Sequence, residues 1–174
     1  MRKRRTFVDG ATYHITSRTN GKEKIFDRKP GKVIMMMLLK EAKEKYNFVV
    51  HNFCIMPNHI HLLVTPKEGK DLPKIMSWIK TQFSKRWNNF NRSSGHIWGE
   101  RYFARPINGT GDFLTVMDYI DKNPVKKGLV LYAWDWKESG AYHIQHEIPD
   151  FVDYSTIDRI FFLEFKRCRL LIGC

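Results

Sequence analysis

The stretch Cys54-Ile-Met-Pro-Asn-His-Ile-His-Leu-Leu-Val-Thr-Pro66 decides the fold. Pro57-Asn58 is a tight connection between an apolar run, Phe48 to Ile55, and a second run that begins at His59, so the two runs pair as a hairpin. Strand side chains alternate, which puts His59 and His61 on one face and Ile60, Leu62 and Val64 on the other. Two imidazoles on one strand face can offer two nitrogen ligands to a single metal ion. A His-x-His pattern alone does not define a metal, since two hydrogen-bonded histidines on a half-buried strand read the same way.

The hairpin has strands and helices on either side. Ala11 to Arg18 alternates like a strand, with Tyr13 and Ile15 on one face, and Asn20-Gly21 turns the chain. Pro30 opens a helix whose apolar positions are Met35, Leu38, Leu39, Ala42 and Tyr46, with Glu41 and Lys45 as an i,i+4 pair. Asp71 is placed to cap a second helix running to about Phe90, with Pro73 in its first turn. Its expected buried stripe is Leu72, Ile75, Met76, Ile79, Phe83 and Phe90, flanked by Trp78 and Trp87. Tyr102 to Ile107 reads as a short strand. A helix follows from about Phe113, and Pro124 disfavours helical geometry at Asn123, which predicts its end there. The order β-α-β-β-α-β-α predicts an α+β fold with a ferredoxin-like split βαβ core. The expected core is an antiparallel sheet with helices on one face, a further helix, and a C-terminal extension. The predicted divisions are a basic arm over 1–10, a catalytic domain over 11–131, and an extension over 132–174 packed on the same domain, with Arg159 to Ile172 as a last helix.

The chain has 174 residues, 43% of them hydrophobic, and a formal net charge of +12. That length suits one domain with its own core, and that charge suggests a polyanionic partner, most often nucleic acid. No apolar run approaches the ~18 residues of a membrane span, so no membrane partner is expected. Met1-Arg-Lys-Arg-Arg5 is followed by no apolar signal core. Cys54, Cys168 and Cys174 lack zinc-type spacing and read as free thiols, so a cytoplasmic protein is expected. Cys54 reads as core, Met35-Met36-Met37 as helix filling, and His14 and His51 as strand residues with structural hydrogen bonds. His143-Ile-Gln-His146 reads as a surface segment.

A second motif, Tyr119-Ile-Asp-Lys-Asn123-Pro, places a tyrosine and an amide one helical turn apart. A core tyrosine followed by a helix-ending asparagine is the plain alternative. Together with the histidine strand, the motif suggests metal-assisted phosphodiester chemistry with a tyrosine nucleophile.

At this point the chain resembles the single-tyrosine, His-hydrophobic-His transposases, and particularly the REP-associated tyrosine transposases. The resemblance is carried by Met56-Pro-Asn-His-Ile-His-Leu-Leu-Val64 and Tyr119-Ile-Asp-Lys-Asn-Pro-Val-Lys-Lys-Gly-Leu-Val130. Tyr13-His-Ile-Thr-Ser-Arg18 and Trp98-Gly-Glu-Arg-Tyr-Phe103 add to it. It runs from about Gly10 to Val130. It implies a ferredoxin-like core acting on single-stranded DNA at a hairpin, of the REP-like palindrome kind, by a monomer or homodimer. It implies His59, His61 and Asn123 as ligands of Mg²⁺ or Mn²⁺, and Tyr119 as the nucleophile that forms a 5′-phosphotyrosine and frees a 3′-OH. Two imidazole ligands lean chemically toward manganese. A phenol holds its proton at neutral pH, so the nucleophile needs help losing it; Lys122, the phosphate and a water are the candidates.

The expected DNA contacts are Arg2, Lys3, Arg4 and Arg5 as an arm, then Arg18, Lys80, Lys85, Arg86, Arg101, Arg105, Lys122, Lys126 and Lys127 along the backbone. Trp98 and Tyr102 are weighed as base-stacking rings against core packing. Two other functions compete: a nucleic-acid-binding module without chemistry, and a metal-dependent nuclease using water or a histidine base. Charges from Glu138 to Asp158 are all acidic, which raises the expectation, set against an ordinary acidic surface, that this segment occupies the DNA groove.

Overall fold

The computed structural model describes residues 7–153. The Arg2–Arg5 arm, Asp158, Cys168, Cys174 and the expected last helix lie outside the described residues. The elements are β1 (Tyr13–Arg18), α1 (Lys29–Tyr46), β2 (Val49–Met56), β3 (His59–Thr65), α2 (Leu72–Asn91), β4 (Phe103–Pro106), α3 (Gly109–Lys126) and α4 (Gly140–Gln145). The four strands form one sheet in the order β2-β3-β1-β4, and every neighbouring pair is antiparallel. This is the ferredoxin-like arrangement. The β2–β3 hairpin closes at Met56↔His59 across Pro57-Asn58.

Alternation along the strands sorts the two sheet faces. Tyr13, Ile15, Phe53, Ile55, Ile60, Leu62 and Val64 are fully buried against α1 and α2, which contribute Met35, Leu38, Leu39, Ile75, Ile79 and Phe83. Burying each large aliphatic side chain stabilises by about 1.5–3 kcal/mol. The opposite face carries a smaller cluster, in which Cys54, Met56 and Leu63 pack under Val116 and Ile120 of α3. Helix α3 therefore lies on the histidine face, alone there among the three long helices.

Several local expectations change. Phe90 is 62% exposed and Trp87 takes its place in the α2 stripe, because Trp87 stands one turn beyond Phe83 and stacks on it. Asp71 precedes α2 without a side-chain cap bond and instead accepts from Lys74 Nζ at 2.8 Å. Glu41 reaches across to Arg86 rather than to Lys45. Helix α3 does not stop at Asn123. It begins at Gly109 and runs through Pro124 to Lys126. Asn123 Nδ2 donates to Tyr119 O at 2.8 Å, tying the residue before proline into the helix it otherwise avoids. The true end is a Schellman closure: Leu129 N–H donates to Pro124 O, Gly128 N–H to Val125 O, and Gly128 takes φ +65°.

Residues 132–153 cover the free edge of β2, which would otherwise present unpaired backbone groups. Ile55 N–H donates to Glu138 O, and Trp136 Nε1 donates to Ile55 O at 2.9 Å. Val50 N–H donates to the Asp153 carboxylate at 2.7 Å. Within this segment three acidic groups meet α1: Glu138 pairs with Lys32, Asp150 with Lys40, and Asp153 with Lys43. The expected groove-filling role is overturned for these three residues, since α1 lies on the other side of the sheet. His143 is also not a surface residue; α4 buries it between Phe53 and Phe151.

Candidate active site

The sheet register builds the site. Cys54, His61, Thr16 and Phe103 form one cross-strand row. Met56, His59 and Arg18 form the row on one side of it, and Leu63, His14 and Arg105 the row on the other. All of these side chains stand on the face that carries α3. Strand β1 is central and lies beside β3, which brings His14 to the histidine pair: His14 Nε2 is 3.0 Å from His61 Nδ1, and Thr16 Oγ1 is 3.2 Å from the same nitrogen. On the other histidine, Nδ1 donates to Asn58 Oδ1 at 2.7 Å, and Asn58 is oriented by its own Nδ2 bond to Lys22 O.

Tyr119 stands over this group from α3. Its ring meets the rings of His61 and His14 edge-on, with centroids 5.5 and 5.8 Å away. It is 42% exposed, so the hydroxyl-bearing ring is open to a macromolecular substrate. Lys126, two helical turns on, places Nζ 5.7 Å from the ring centroid. Lys122, one of the three candidates for taking the tyrosine proton, pairs with Asp118 at 2.7 Å.

Burial depresses the histidine pKa values. His59 falls to about 4 through desolvation, helped by Arg18 and Lys127. His61 falls to about 3 through desolvation, then His59, His14 and Arg18. His14 falls to about 4 through desolvation and Arg105, against a smaller opposing effect of Asp112. All three rings are neutral at pH 7, the form that binds metal. Burial, with Asp121 and Glu138, pushes the Cys54 thiol up, so it is an inert core residue.

His61 Nε2 is buried and has no hydrogen-bond partner, although its Nδ1 is well supplied. A proton on Nδ1 leaves Nε2 a bare lone pair, whereas a proton on Nε2 would bury an unpaired donor. With His59 also protonated on Nδ1, both rings offer Nε2 to an ion, each oriented by a bond on its other nitrogen. Asn123 is buried and commits its Nδ2 to the helix, leaving Oδ1 as an acceptor. Two imidazoles and an amide oxygen fit a divalent cation. No cluster of three His, Cys, Asp or Glu side chains suited to a metal occurs among the described residues.

The expected DNA-contacting residues scatter over two sides. Arg18 is exposed beside His59, exposed Lys126 follows Tyr119 along α3, and exposed Lys127 stands just past its end. Lys85 and Arg101 are exposed as well. Lys80 bonds Glu100 O at 3.0 Å and lies over the Trp98 ring. Arg86 makes a two-pronged pair with Glu41 between α2 and α1, on the side away from Tyr119. Arg105 makes the same kind of pair with Asp112, locking β4 to the first turn of α3. Trp98 is 9% exposed and packs with Phe26 and Phe83, so it belongs to the core. His14 and Thr16 were absent from the expected site. The alternation that set Tyr13 and Ile15 inward already placed them on the opposite face, but only the strand order reveals that this face meets His61.

A family model described as IS200-like transposase matches residues 7–123. A Haemophilus influenzae protein assigned to the REP-associated tyrosine transposases is 38% identical over 115 residues, 60% of this chain and 64% of that protein. The chain thus spans less than two thirds of that relative. The REP-associated tyrosine transposase of Escherichia coli K12 is 26% identical over 171 residues, 90% of this chain and 96% of its own. Among solved structures, a REP-associated tyrosine transposase bound to a REP hairpin superposes with a TM-score of 0.73 at 25% identity, covering 89% of this chain and 91% of that one. No described helix is long and apolar enough to cross a membrane.

Proposed function

Given that the chain belongs to the IS200-like transposase family, we propose that it is a metal-dependent single-strand DNA endonuclease and strand transferase acting at a hairpin, with Tyr119 as nucleophile. The observation that carries this reading is the meeting of two motifs far apart in sequence: the Tyr119 ring lies against His61 and His14. A core tyrosine would be buried; this one is open to solvent above two neutral imidazoles.

In the proposed reaction the Tyr119 hydroxyl attacks the scissile phosphorus. The new bond is phosphorus to phenolic oxygen, and the bond broken is phosphorus to O3′. The phenolic proton leaves to solvent or to the phosphate, and the departing O3′ takes one up as a hydroxyl. The product is a 5′-phosphotyrosine and a free 3′-OH. A second 3′-OH reverses the step and joins strands without an external energy source, because the phosphodiester is conserved. Lys126 offsets charge on the phenolic oxygen as its proton leaves. His59 and His61, with Asn123, would hold a divalent cation. When bound, such an ion supplies Lewis-acid polarisation of a non-bridging phosphate oxygen. Arg18, Lys126 and Lys127 surround the site with positive charge that draws the DNA backbone.

A hairpin is the substrate proposed for this chain because a structural neighbour is a transposase bound to a REP hairpin. The cytoplasm is its proposed site of action, as a monomer or a homodimer. The test is a labelled hairpin with single-stranded flanks, incubated with Mg²⁺ or Mn²⁺ and run on a denaturing protein gel. A DNA-linked protein band that vanishes in Tyr119→Phe supports the tyrosine mechanism. Binding without any band favours a non-catalytic DNA-binding module, and cleavage that survives Tyr119→Phe favours water or histidine chemistry.

A further inference from the structure

Beside Tyr119, away from His59, a cleft of about 530 Å³ opens between β4 and α3. It is lined by His14, Thr16, Phe103, Arg105, Thr115, Val116 and Tyr119. Its most accessible aromatic is Phe103. This ring opens the edge strand β4 on the face that carries α3, and it is 58% exposed. It shares a cross-strand row with Thr16 and His61, two strand spacings from the histidine, or about 9.5 Å.

Much of the polar complement of this cleft is engaged within the protein. Both terminal nitrogens of Arg105 bind the Asp112 carboxylate. The Thr115 hydroxyl donates to Gly111 O at 2.8 Å. Thr16 and His14 are turned to His61. What it offers a ligand is chiefly the Phe103 ring, the Val116 and Thr115 aliphatic carbons and the flank of the Tyr119 ring. Such a surface takes a flat, apolar-faced group by its face and reads little at its edge. It borders the Tyr119 ring on one side, and the positive charge of Lys126 lies 5.7 Å from the centroid of the same ring.

We infer that this cleft is a base-stacking subsite: an unpaired nucleobase next to the scissile phosphate stacks on Phe103, and the cleft accepts it with little regard to base identity. This rests on the single-strand DNA reading above. Phe103 thereby takes the stacking role weighed earlier for Trp98 and Tyr102; Trp98 is committed to the core and Tyr102 is half-buried. Stacking would fix the sugar on one side of the phosphodiester while Tyr119 approaches the phosphorus, so Phe103 is a positioning residue for the attack.

The experiment compares two probes with equal numbers of phosphates: oligo(dT), and the same length built of abasic residues. Affinities are measured by anisotropy for the full chain, wild type and Phe103→Ala, Phe103→Leu and Phe103→Trp, each also carrying Tyr119→Phe so that cleavage plays no part. The expected result is that Phe103→Ala weakens oligo(dT) binding roughly 5- to 150-fold and leaves abasic binding unchanged. Phe103→Trp should keep the preference for bases, Phe103→Leu should lose most of it, and oligo(dA) and oligo(dC) should follow oligo(dT) within a few-fold. Equal losses on both probes, or no loss on either, overturn the subsite. Circular dichroism of the exposed-site variants separates this from misfolding. The outcome is independent of the tyrosine mechanism, whose failure would appear as the absence of a covalent band in the wild type.

Discussion

His14 Nε2 and His61 Nδ1 lie 3.0 Å apart, on neighbouring central strands of the sheet. This contact joins a residue with no place in either sequence motif to the strand that carries the two candidate histidine ligands. It fixes the ring of His61 and decides which nitrogen faces the site. On the proposed metal reading, His14→Phe keeps the ring and removes the bond. It should lower Mn²⁺ affinity about 10- to 100-fold, measured by calorimetric titration of the protein without DNA. Unchanged affinity would show that His14 is a packing residue only.

The three buried histidines also give stability a pH dependence with a definite sign. Unfolded, they take up protons near pH 6.5; folded, His14 and His59 resist to about 4 and His61 to about 3. Between these limits the unfolded chain binds more protons, so stability falls as pH drops from 6.5 towards 4. Above pH 7 their contribution is complete and flat. His59 alone contributes on the order of 3 kcal/mol. Urea midpoints between pH 4 and 8 should show this slope, and it should flatten in His59→Gln. An identical slope in the variant would place the acid sensitivity elsewhere.

The parts of this site that were legible in the sequence are those that local geometry determines. Strand alternation puts His59 and His61 on one face whatever the rest of the chain does, and helical spacing puts Tyr119 beside Asn123. His14 and Phe103 were not legible, because their membership depends on β1 lying beside β3 and β4 beside β1, which no local pattern states. Local rules also failed where a side chain overrode them. Pro124 forecasts a helix end at Asn123, yet the Asn123 amide holds the turn and the helix closes at Gly128. Charge patterning misled in the same way: Glu41 has Lys45 one turn away but bonds Arg86 across the helix pair.

Charge position now separates the basic residues by effect. Arg18 is exposed beside His59, whereas Arg86 is paired with Glu41 on the far side of the sheet. Arg18→Ala should weaken single-strand DNA binding and reduce the slope of log affinity against log salt by about 0.7. Arg86→Ala should leave the slope unchanged while loosening the α1–α2 contact by no more than about 1 kcal/mol. Salt titrations of both variants decide it, and a reduced slope in Arg86→Ala would mean that DNA reaches the helical face.

Helix α3 is tied to β2 by a buried amide. Asn52 Nδ2 donates to Asp121 Oδ1 at 2.8 Å, and Asn52 Oδ1 accepts from Phe53 N–H at 2.7 Å. A Cβ at Gly140 would overlap Asn52 Oδ1. Gly140→Ala should therefore destabilise by about 1–3 kcal/mol, and the cost should shrink when Asn52→Ala makes room. Thermal melts of the two single variants and the double variant give the coupling. Strict additivity would show that the clash is relieved by backbone movement instead.

Removing residues 132–174 tests whether the extension restrains the site or supports it. Its Glu138, Asp150 and Asp153 face α1, and its Trp136 packs against the cluster in which Val116 and Ile120 seat α3 on the sheet. Truncation would strip the β2 edge of the bonds at Val50 and Ile55 and uncover the apolar back of the tyrosine helix. Each backbone group left unpaired in a buried setting costs about 1–3 kcal/mol, and an open strand edge invites association between chains. The truncated protein should melt at lower temperature and aggregate, with no gain in DNA affinity per folded molecule. A subtler variant makes the point without removing the segment: Glu138→Gln breaks the pair with Lys32 but keeps the backbone bond to Ile55. If the extension screened the DNA site electrostatically, that substitution would tighten DNA binding. Because Glu138 lies against α1, binding should stay the same, and a rise in affinity would return the acidic segment to the groove.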